Sequence, residues 1–369
     1  MVIKNLNRFI LMLSIALTGI LPAHAEMLPS VKLTLMNSLA RIDEDSLSFS
    51  SLGKGRFTLQ SVKNRNVRAQ LTLDTTIADT VMFDISRAFI KVRFPGFRTT
   101  IGKAKVSWGE GFFYNAGDVI FGDTPPTADM TAEVLRDEAV WLTSAYIPLG
   151  TYSFIEPIIL VPGLNLSELM LDPEASTPST TDPSAGGRFV ARPGGIKVEG
   201  GYLYRGAEQS HNPYLSFQGN LFLDWHLSSS ISIPYYSPMI SDLEESFKIS
   251  WGLFHLQSLA GGMSLSFRLE GLVKPCASWI EKEGDSSEYS FMLYPEISLS
   301  VNESLTYLLR SVVSPIDLSA LITAGMYWNI YEGFKILSFL SVQAGETTDI
   351  YGWNKPGGII FSCGFQFIY

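Results

Sequence analysis

Several classes of protein are excluded by what this 369-residue sequence has little of. Two cysteines cannot staple a disulfide scaffold, and we expect no bridge between Cys276 and Cys363. Lysine and arginine number 27 against 36 aspartates and glutamates, which argues against a nucleic-acid partner. Beyond the N-terminus no apolar run reaches the roughly 18 residues of a membrane-spanning helix, so a helical membrane bundle is excluded. With 17% charged and 46% hydrophobic residues, the chain is also too apolar to be disordered.

The first 25 residues have the three parts of a secretory signal peptide. Two basic residues precede an apolar stretch at 9–21, and Ala23 and Ala25 supply the small residues of a cleavage site. The sequence therefore predicts export, a cleaved signal peptide over residues 1–25 and a single domain over residues 26–369.

Helical periodicity is nearly absent after the signal peptide, and alternation at period two takes its place. In residues 67–74 the apolar Val67 and Leu71 share one face while Arg68 and Asp74 share the other. The same pattern recurs at 196–205 and in the last residues of the chain. These segments are typical of β-strands with one apolar and one polar face.

Three features favour a membrane barrel over a soluble sandwich. Aromatic residues gather near strand ends, as they do in an interfacial girdle. The chain ends within a strand on an aromatic residue, and we expect Phe365, Phe367 and Tyr369 to be the closing-strand signal read by the barrel-assembly machinery. Short connections also alternate with longer ones, as outer-membrane barrels require.

The connections predict the number of strands. Eight short turns and nine other connections give 18 strands, or 16 if one hairpin is missing. The predicted short turns lie at 63–66, 95–96, 148–150, 193–194, 228–230, 258–262, 302–303 and 331–332. The other predicted connections lie at 40–55, 75–80, 108–137, 162–186, 207–212, 237–245, 274–287, 314–316 and 345–357. The fold class is therefore all-β, an antiparallel outer-membrane β-barrel wide enough to leave an aqueous lumen.

One segment carries a family resemblance. Residues 87–93, then Pro-Gly, then residues 100–111 with Trp108-Gly109-Glu110, match a strand ending R-E-A-Y-L followed by G-R-Q-x-V-x-W-G-E. This segment resembles a largely uncharacterised family of Gram-negative outer-membrane porin-like barrels, similar to the alginate-export barrels, over roughly residues 80–205. The resemblance implies a bacterial outer-membrane location, but it does not identify a substrate. Ala88 departs from the family's acidic residue, and Lys103-Ala104 stands for its Arg-Gln.

Charged residues on the polar face of the first strands are predicted to line the lumen, where charge is tolerated better than on the lipid face. A bulge at Gly102 would keep the charges of the fifth strand in the lumen. The connection 108–137 could fold inward, so that its acids face a basic wall and form a constriction. Alternatively, the charges only solvate a wet interior and pair locally. The candidate residues are Arg68, Asp74, Arg87, Lys91, Arg93, Arg98, Lys103, Lys105, Glu110 and Asp118.

Enzymatic chemistry is not predicted. His211, His226 and His255 lie in no recognisable hydrolase motif, and we expect no cofactor and no metal. The sequence favours a channel for passive diffusion of small hydrophilic solutes, with outer-membrane lipid, the assembly machinery and those solutes as partners. Whether the barrel forms a homo-oligomer stays open. The alternatives are an adhesin-type barrel with a plugged lumen and, third, a transporter for apolar compounds.

Overall fold

The architecture is that of a single closed sheet. The computed structural model describes residues 27–41, 47–61, 66–78, 80–125, 129–161, 183–236, 243, 246–280, 289–352 and 358–369. The predicted signal peptide lies outside the described residues. No described helix is long and apolar enough to cross a membrane.

Nineteen strand segments, β1 to β19, follow one another along the described chain. Their bounds are Met27–Arg41, Leu47–Ser61, Val67–Ile77, Val81–Arg93, Arg98–Lys105, Ala139–Pro148, Phe154–Leu160, Ser184–Ala191, Lys197–Arg205, Ser210–Asn220, Asp224–Ser230, Ile233–Pro234, Lys248–Ser258, Ser264–Val273, Phe291–Ser300, Leu305–Ser314, Ser319–Tyr331, Phe334–Ala344 and Ile359–Ile368. The two-residue β12 continues β11, because both segments pair with β10. The described segments therefore make 18 barrel strands.

The barrel closes between its first and last strands. Consecutive barrel strands pair antiparallel, and β1 pairs with β19 from Lys32↔Ile368 to Arg41↔Ile359. Closure leaves no free sheet edge, which is what a lipid environment demands of a sheet. The prediction of an antiparallel barrel of 18 strands is confirmed, and the alternative of 16 is wrong.

The wall of the barrel is apolar outside and polar inside. On β1, Leu33, Leu35 and Leu39 point outward and are 50%, 42% and 45% exposed. Phe365 and Phe367 of β19 lie beside Leu35 and Leu33 on the same outer face. Strand after strand repeats this alternation, so the outer surface is an apolar belt of the kind that faces lipid.

Short connections gather at the end of the barrel that holds Tyr369, and one of them differs from its predicted position. The turn predicted at 228–230 is wrong, since Ser228–Ser230 belong to β11 and the turn lies at 221–223. Leu221 and Phe222 there are 77% and 82% exposed, so this turn is apolar rather than polar. The connection predicted at 40–55 is also too long, because β2 begins at Leu47.

Candidate functional site

The connection between β5 and β6, residues 106–138, is here called the lumen loop. Its described residues, 106–125 and 129–138, fold into the barrel. Its Trp108, Tyr114, Asn115 and Asp118 are all less than 5% exposed, although they belong to no strand. The partners of the loop as a whole come from strands distributed around the wall, including β2, β9, β14 and β18. The lumen loop is therefore a second layer packed against the inside of the barrel.

Glu199 of β9 is the first wall anchor of this loop. Its fully buried carboxylate accepts hydrogen bonds from the Gly109 N–H at 2.9 Å and the Tyr214 hydroxyl at 2.6 Å. Arg188 and Lys197 neutralise it at 3.1 and 2.8 Å. The positive φ of Gly109, 66°, and a Cβ site only 2.7 Å from the Gly117 Cα leave no room for a side chain at this crossing.

Glu270 of β14 is the second wall anchor, and it binds the lumen loop through backbone N–H groups. Its Oε1 accepts the Phe112 N–H at 2.9 Å, and its Oε2 accepts the N–H groups of Phe113 and Tyr114 at 2.8 and 2.9 Å. Arg268 lies 3.4 Å from Oε1. Three consecutive loop amides are thus held by one fully buried carboxylate.

Arg136 ties the two halves of the loop together. Its guanidinium donates to the carbonyl oxygens of Phe113, Gly122 and Asp123 at 2.7 to 3.2 Å. It also pairs with Asp118 at 3.2 Å. Burial raises the pKa of Asp118 to about 6. The positive charge of Arg136 and the hydrogen bonds from the N–H groups of Ile120 and Phe121 lower the pKa and so oppose this shift.

Aromatic packing fixes the loop on two sides of the lumen. The Trp108 ring is fully buried and stacks on Tyr214 of β10, with centroids 5.6 Å apart. Phe113 stacks on Tyr294 of β15 at 4.5 Å. Trp108 is therefore an anchor inside the lumen.

The second half of the loop is held mainly by half-exposed ion pairs. Asp129 pairs with Lys54 at 3.6 Å, and Glu133 pairs with Lys335. Asp137 meets cations of three different strands, Arg56, Arg87 and Lys105. This half is acidic and the wall that it touches is basic, so the attraction is electrostatic.

The predicted lumen residues fall into two groups. One group is paired: Asp74 with Arg56, Arg87 and Lys105 with Asp137, Lys103 with Asp84, Glu110 with Lys197, and Asp118 with Arg136. The other group forms no ion pair with any acid among the described residues: Arg68, Lys91, Arg93 and Arg98. These four alternate on β3–β5 with outward residues such as Ile90, which is 52% exposed. Two of them lie over rings, Lys91 over Phe89 at 5.0 Å and Arg98 over Tyr146 at 4.1 Å.

No register shift occurs at Gly102 with either neighbouring strand, so the bulge predicted there is wrong. Gly102 has a φ of 116°, and a Cβ would lie 2.1 Å from the Ala88 carbonyl oxygen. The register shift lies instead between β3 and β4, where Thr72 pairs with Arg87 and Leu73 with Ile85. Lys103 still reaches Asp84 at 3.3 Å.

A hollow of about 480 Å³ lies between the lumen loop and strands β13–β18. A row of alternating charge crosses it, because Arg268, Glu296 and Arg310 are direct neighbours on β14, β15 and β16. Glu296 lies 3.6 Å from each arginine. The ring of Phe112 covers the Arg268 guanidinium at 3.9 Å. The interior next to the loop is therefore polar and charged.

Several of these residues were missed by sequence reasoning. Alternation does place Glu199 and Glu270 on the polar face of their strands, but no sequence signal says that each would bind the backbone of a loop far away in the chain. Arg136 and Asp137 lie in a segment without periodicity. Arg56 fell just beyond a predicted connection that proved to be mostly strand.

Neither a family model nor a curated protein sequence matches this chain. Solved structures do match. OccAB4 of Acinetobacter baumannii is 8% identical with a TM-score of 0.55, over 94% of this chain and 99% of that one. OccD3 of Pseudomonas aeruginosa is 8% identical with a TM-score of 0.53, over 92% and 91%. Wzi of Escherichia coli, an outer-membrane protein described as a carbohydrate-binding β-barrel, is 12% identical with a TM-score of 0.57, over 91% and 83%. With the closed 18-strand sheet, these matches show that the chain has the fold of the outer-membrane porin-like barrels.

Proposed function

We propose that this protein is an outer-membrane channel for passive diffusion of small hydrophilic solutes, narrowed by the lumen loop. The observation that carries the proposal is the combination of an apolar outer belt with an interior that is charged and partly exposed. A folded barrel with such an interior holds water, and polar solutes cross where water can. The exported, outer-membrane location belongs to the same proposal, as does recognition of Phe365, Phe367 and Tyr369 by the assembly machinery.

The unpaired cations give the channel a preference for anions. Arg68, Lys91, Arg93 and Arg98 lie on neighbouring strands at one end of the lumen, where no described acid pairs with them. The acids of the lumen loop, apart from Glu138, pair with wall cations or with Arg136. Local charge therefore favours anions, although the whole chain has a formal charge of −9.

Single-channel recording tests both statements. The mature chain is refolded into a planar bilayer with a potassium chloride gradient across it. We expect discrete conductance steps and a reversal potential of the sign that chloride selectivity produces. Arg98→Gln should move this potential toward zero. Lys274→Gln, in the connection after β14, should move it less, because that residue lies outside the strands.

A folded and inserted barrel without conductance steps would refute the channel and favour a plugged barrel that acts by binding. The contacts of the loop and the exposed aromatic residues support this second candidate. The lumen loop contacts both β9–β14 and β16–β18, and exposed aromatic residues such as Tyr235, Tyr236 and Trp279 lie in connections at the opposite end from Tyr369. The likeness to Wzi then makes a carbohydrate the first ligand to test.

A further inference from the structure

We propose that Arg56, Arg87 and Lys105 form a binding site for the carboxylate of a small anionic solute, and that Asp137 occupies this site as an internal substitute. The inference rests on the proposed function, since it needs a lumen that solutes enter. It adds a specific site and a ligand class to that function.

The geometry around Asp137 is that of a bound carboxylate. Its Oδ2 lies 3.5 Å from an Nη of Arg56, and its Oδ1 lies 3.4 Å from the Lys105 Nζ and in contact with the Arg87 Nη2. The three cations come from β2, β5 and β4, so the wall itself sets their positions. Guanidinium groups fit carboxylates particularly well, because their planar donors match the two oxygens.

Asp74 alone does not neutralise the three cations, so the cluster can bind one more carboxylate. Asp74 accepts two hydrogen bonds from Arg56, both at 2.8 Å, and neutralises one of the three cations. Asp137 neutralises a second. Without Asp137 the cluster would carry a formal charge of +2, and a free carboxylate would restore the present balance.

Solvent reaches the site, unlike the two carboxylates that anchor the first half of the loop. The side chains of Arg56, Arg87, Lys105 and Asp137 are 40%, 26%, 41% and 33% exposed. The Glu199 side chain is 1% exposed by comparison. An anion in the lumen can therefore reach Arg56, Arg87 and Lys105, and Asp137 can leave them for water.

Asp137 competes with such an anion as a tethered ligand. Tethered groups act at effective concentrations on the order of millimolar or above, so the site in the native chain should fill only at high solute concentration. Asparagine at 137 removes the competing charge while keeping the shape of the side chain. Release of Asp137 also frees one of the attachments of the second half of the loop.

Acetate is the probe, titrated by NMR into the detergent-solubilised folded barrel at constant ionic strength in chloride. We expect Asp137→Asn to lower the half-saturating acetate concentration about tenfold or more, as expected when a tethered competitor is removed. Asp84→Asn is the matched control. It also removes one negative charge, from β4 of the neighbouring wall, where Asp84 pairs with Lys103, and it should leave acetate binding within about twofold. Adding Arg87→Gln to Asp137→Asn should abolish the gain.

Equal effects of the two asparagine variants, or a gain that survives Arg87→Gln, would overturn the site. Folding of each variant is checked by its heat-dependent migration in electrophoresis. Asp137→Ser replaces Asp137→Asn, and Asp84→Ser replaces Asp84→Asn, where the asparagine variant does not fold. The titration requires no current. A barrel that binds acetate but does not conduct would refute the channel and keep the site, whereas a conducting barrel with no gain at Asp137→Asn would do the reverse.

Discussion

Replacement of Glu270 gives the sharpest test of how the lumen loop is held. Alanine at this position leaves the N–H groups of Phe112, Phe113 and Tyr114 without their acceptor. Hydrogen bonds to a charged group contribute at least about 1.5 kcal/mol each, so three of them amount to roughly 4–5 kcal/mol. Glutamine keeps one acceptor oxygen and turns an NH₂ group toward the remaining donor, which makes its loss smaller, about 2 kcal/mol.

These free energies determine how much the fraction of molecules with an undocked loop increases. At 1.4 kcal/mol per factor of ten, the undocked fraction should rise on the order of a thousandfold for Glu270→Ala and about thirtyfold for Glu270→Gln. Hydrogen exchange read by mass spectrometry measures this directly, with peptides covering residues 112–114 as the probe and the barrel strands as an internal reference. Glu303→Gln, in the turn between β15 and β16, is the control, because it changes an exposed glutamate that does not contact the loop.

Two outcomes would refute this reasoning. Unchanged exchange at residues 112–114 in Glu270→Ala would mean that the carboxylate does not hold the loop. Faster exchange throughout the strands would mean that Glu270 stabilises the barrel itself rather than the docked loop. The expected pattern is a local increase within the lumen loop while strand protection is kept.

Three further predictions follow from the packing, burial and charge described above. Trp108→Ala removes a buried ring stacked on Tyr214 and should weaken loop docking by about 3–5 kcal/mol, seen as faster exchange over 106–119 with an unchanged barrel melting temperature. Because burial raises the pKa of Asp118 to about 6, its ionised form weakens docking; protection should therefore rise as the pH falls from 7 to 5. Asp118→Asn should abolish that dependence, and a persisting dependence would assign it to another group. Leu253 faces outward in the middle of β13, and Leu253→Arg should destabilise the barrel by about 2–4 kcal/mol in lipid vesicles, measured by urea unfolding. An unchanged midpoint of urea unfolding would contradict the assignment of Leu253 to the lipid-facing surface.

The strands were predictable because lipid and water impose opposite chemistry on successive residues. Alternation in residues 67–74 places Leu71 outward and Asp74 inward, and the structure agrees. The turn near residue 222 was not predictable by the same rule. The rule expects polar residues in a turn, and it therefore misses a turn whose exposed residues are Leu221 and Phe222. Exposed apolar residues are favourable there because the turn lies near the interface between bilayer and water.

The wall of the lumen was only partly predictable for a different physical reason. Ser228 and Ser230 look like a turn, yet Ser228 is fully buried, bonds to Ser216 at 2.7 Å and lies beneath the loop. Small side chains are needed there because a second layer covers the wall. Which inward-facing wall residues contact that layer depends on the path of residues 106–138. That segment has no periodicity, so its path cannot be predicted from the sequence pattern.

The wall anchors of the lumen loop also fix the order of folding. Gly109 lies 90 positions before Glu199, and Phe112 lies 158 positions before Glu270. The loop is therefore synthesised well before the strands that hold it. Closing such long segments carries a large entropic penalty, which is repaid only when β9 and β14 are in place. Docking of the loop should thus be a late step of folding, so that the loop fills part of the lumen only after most of the surrounding wall has assembled.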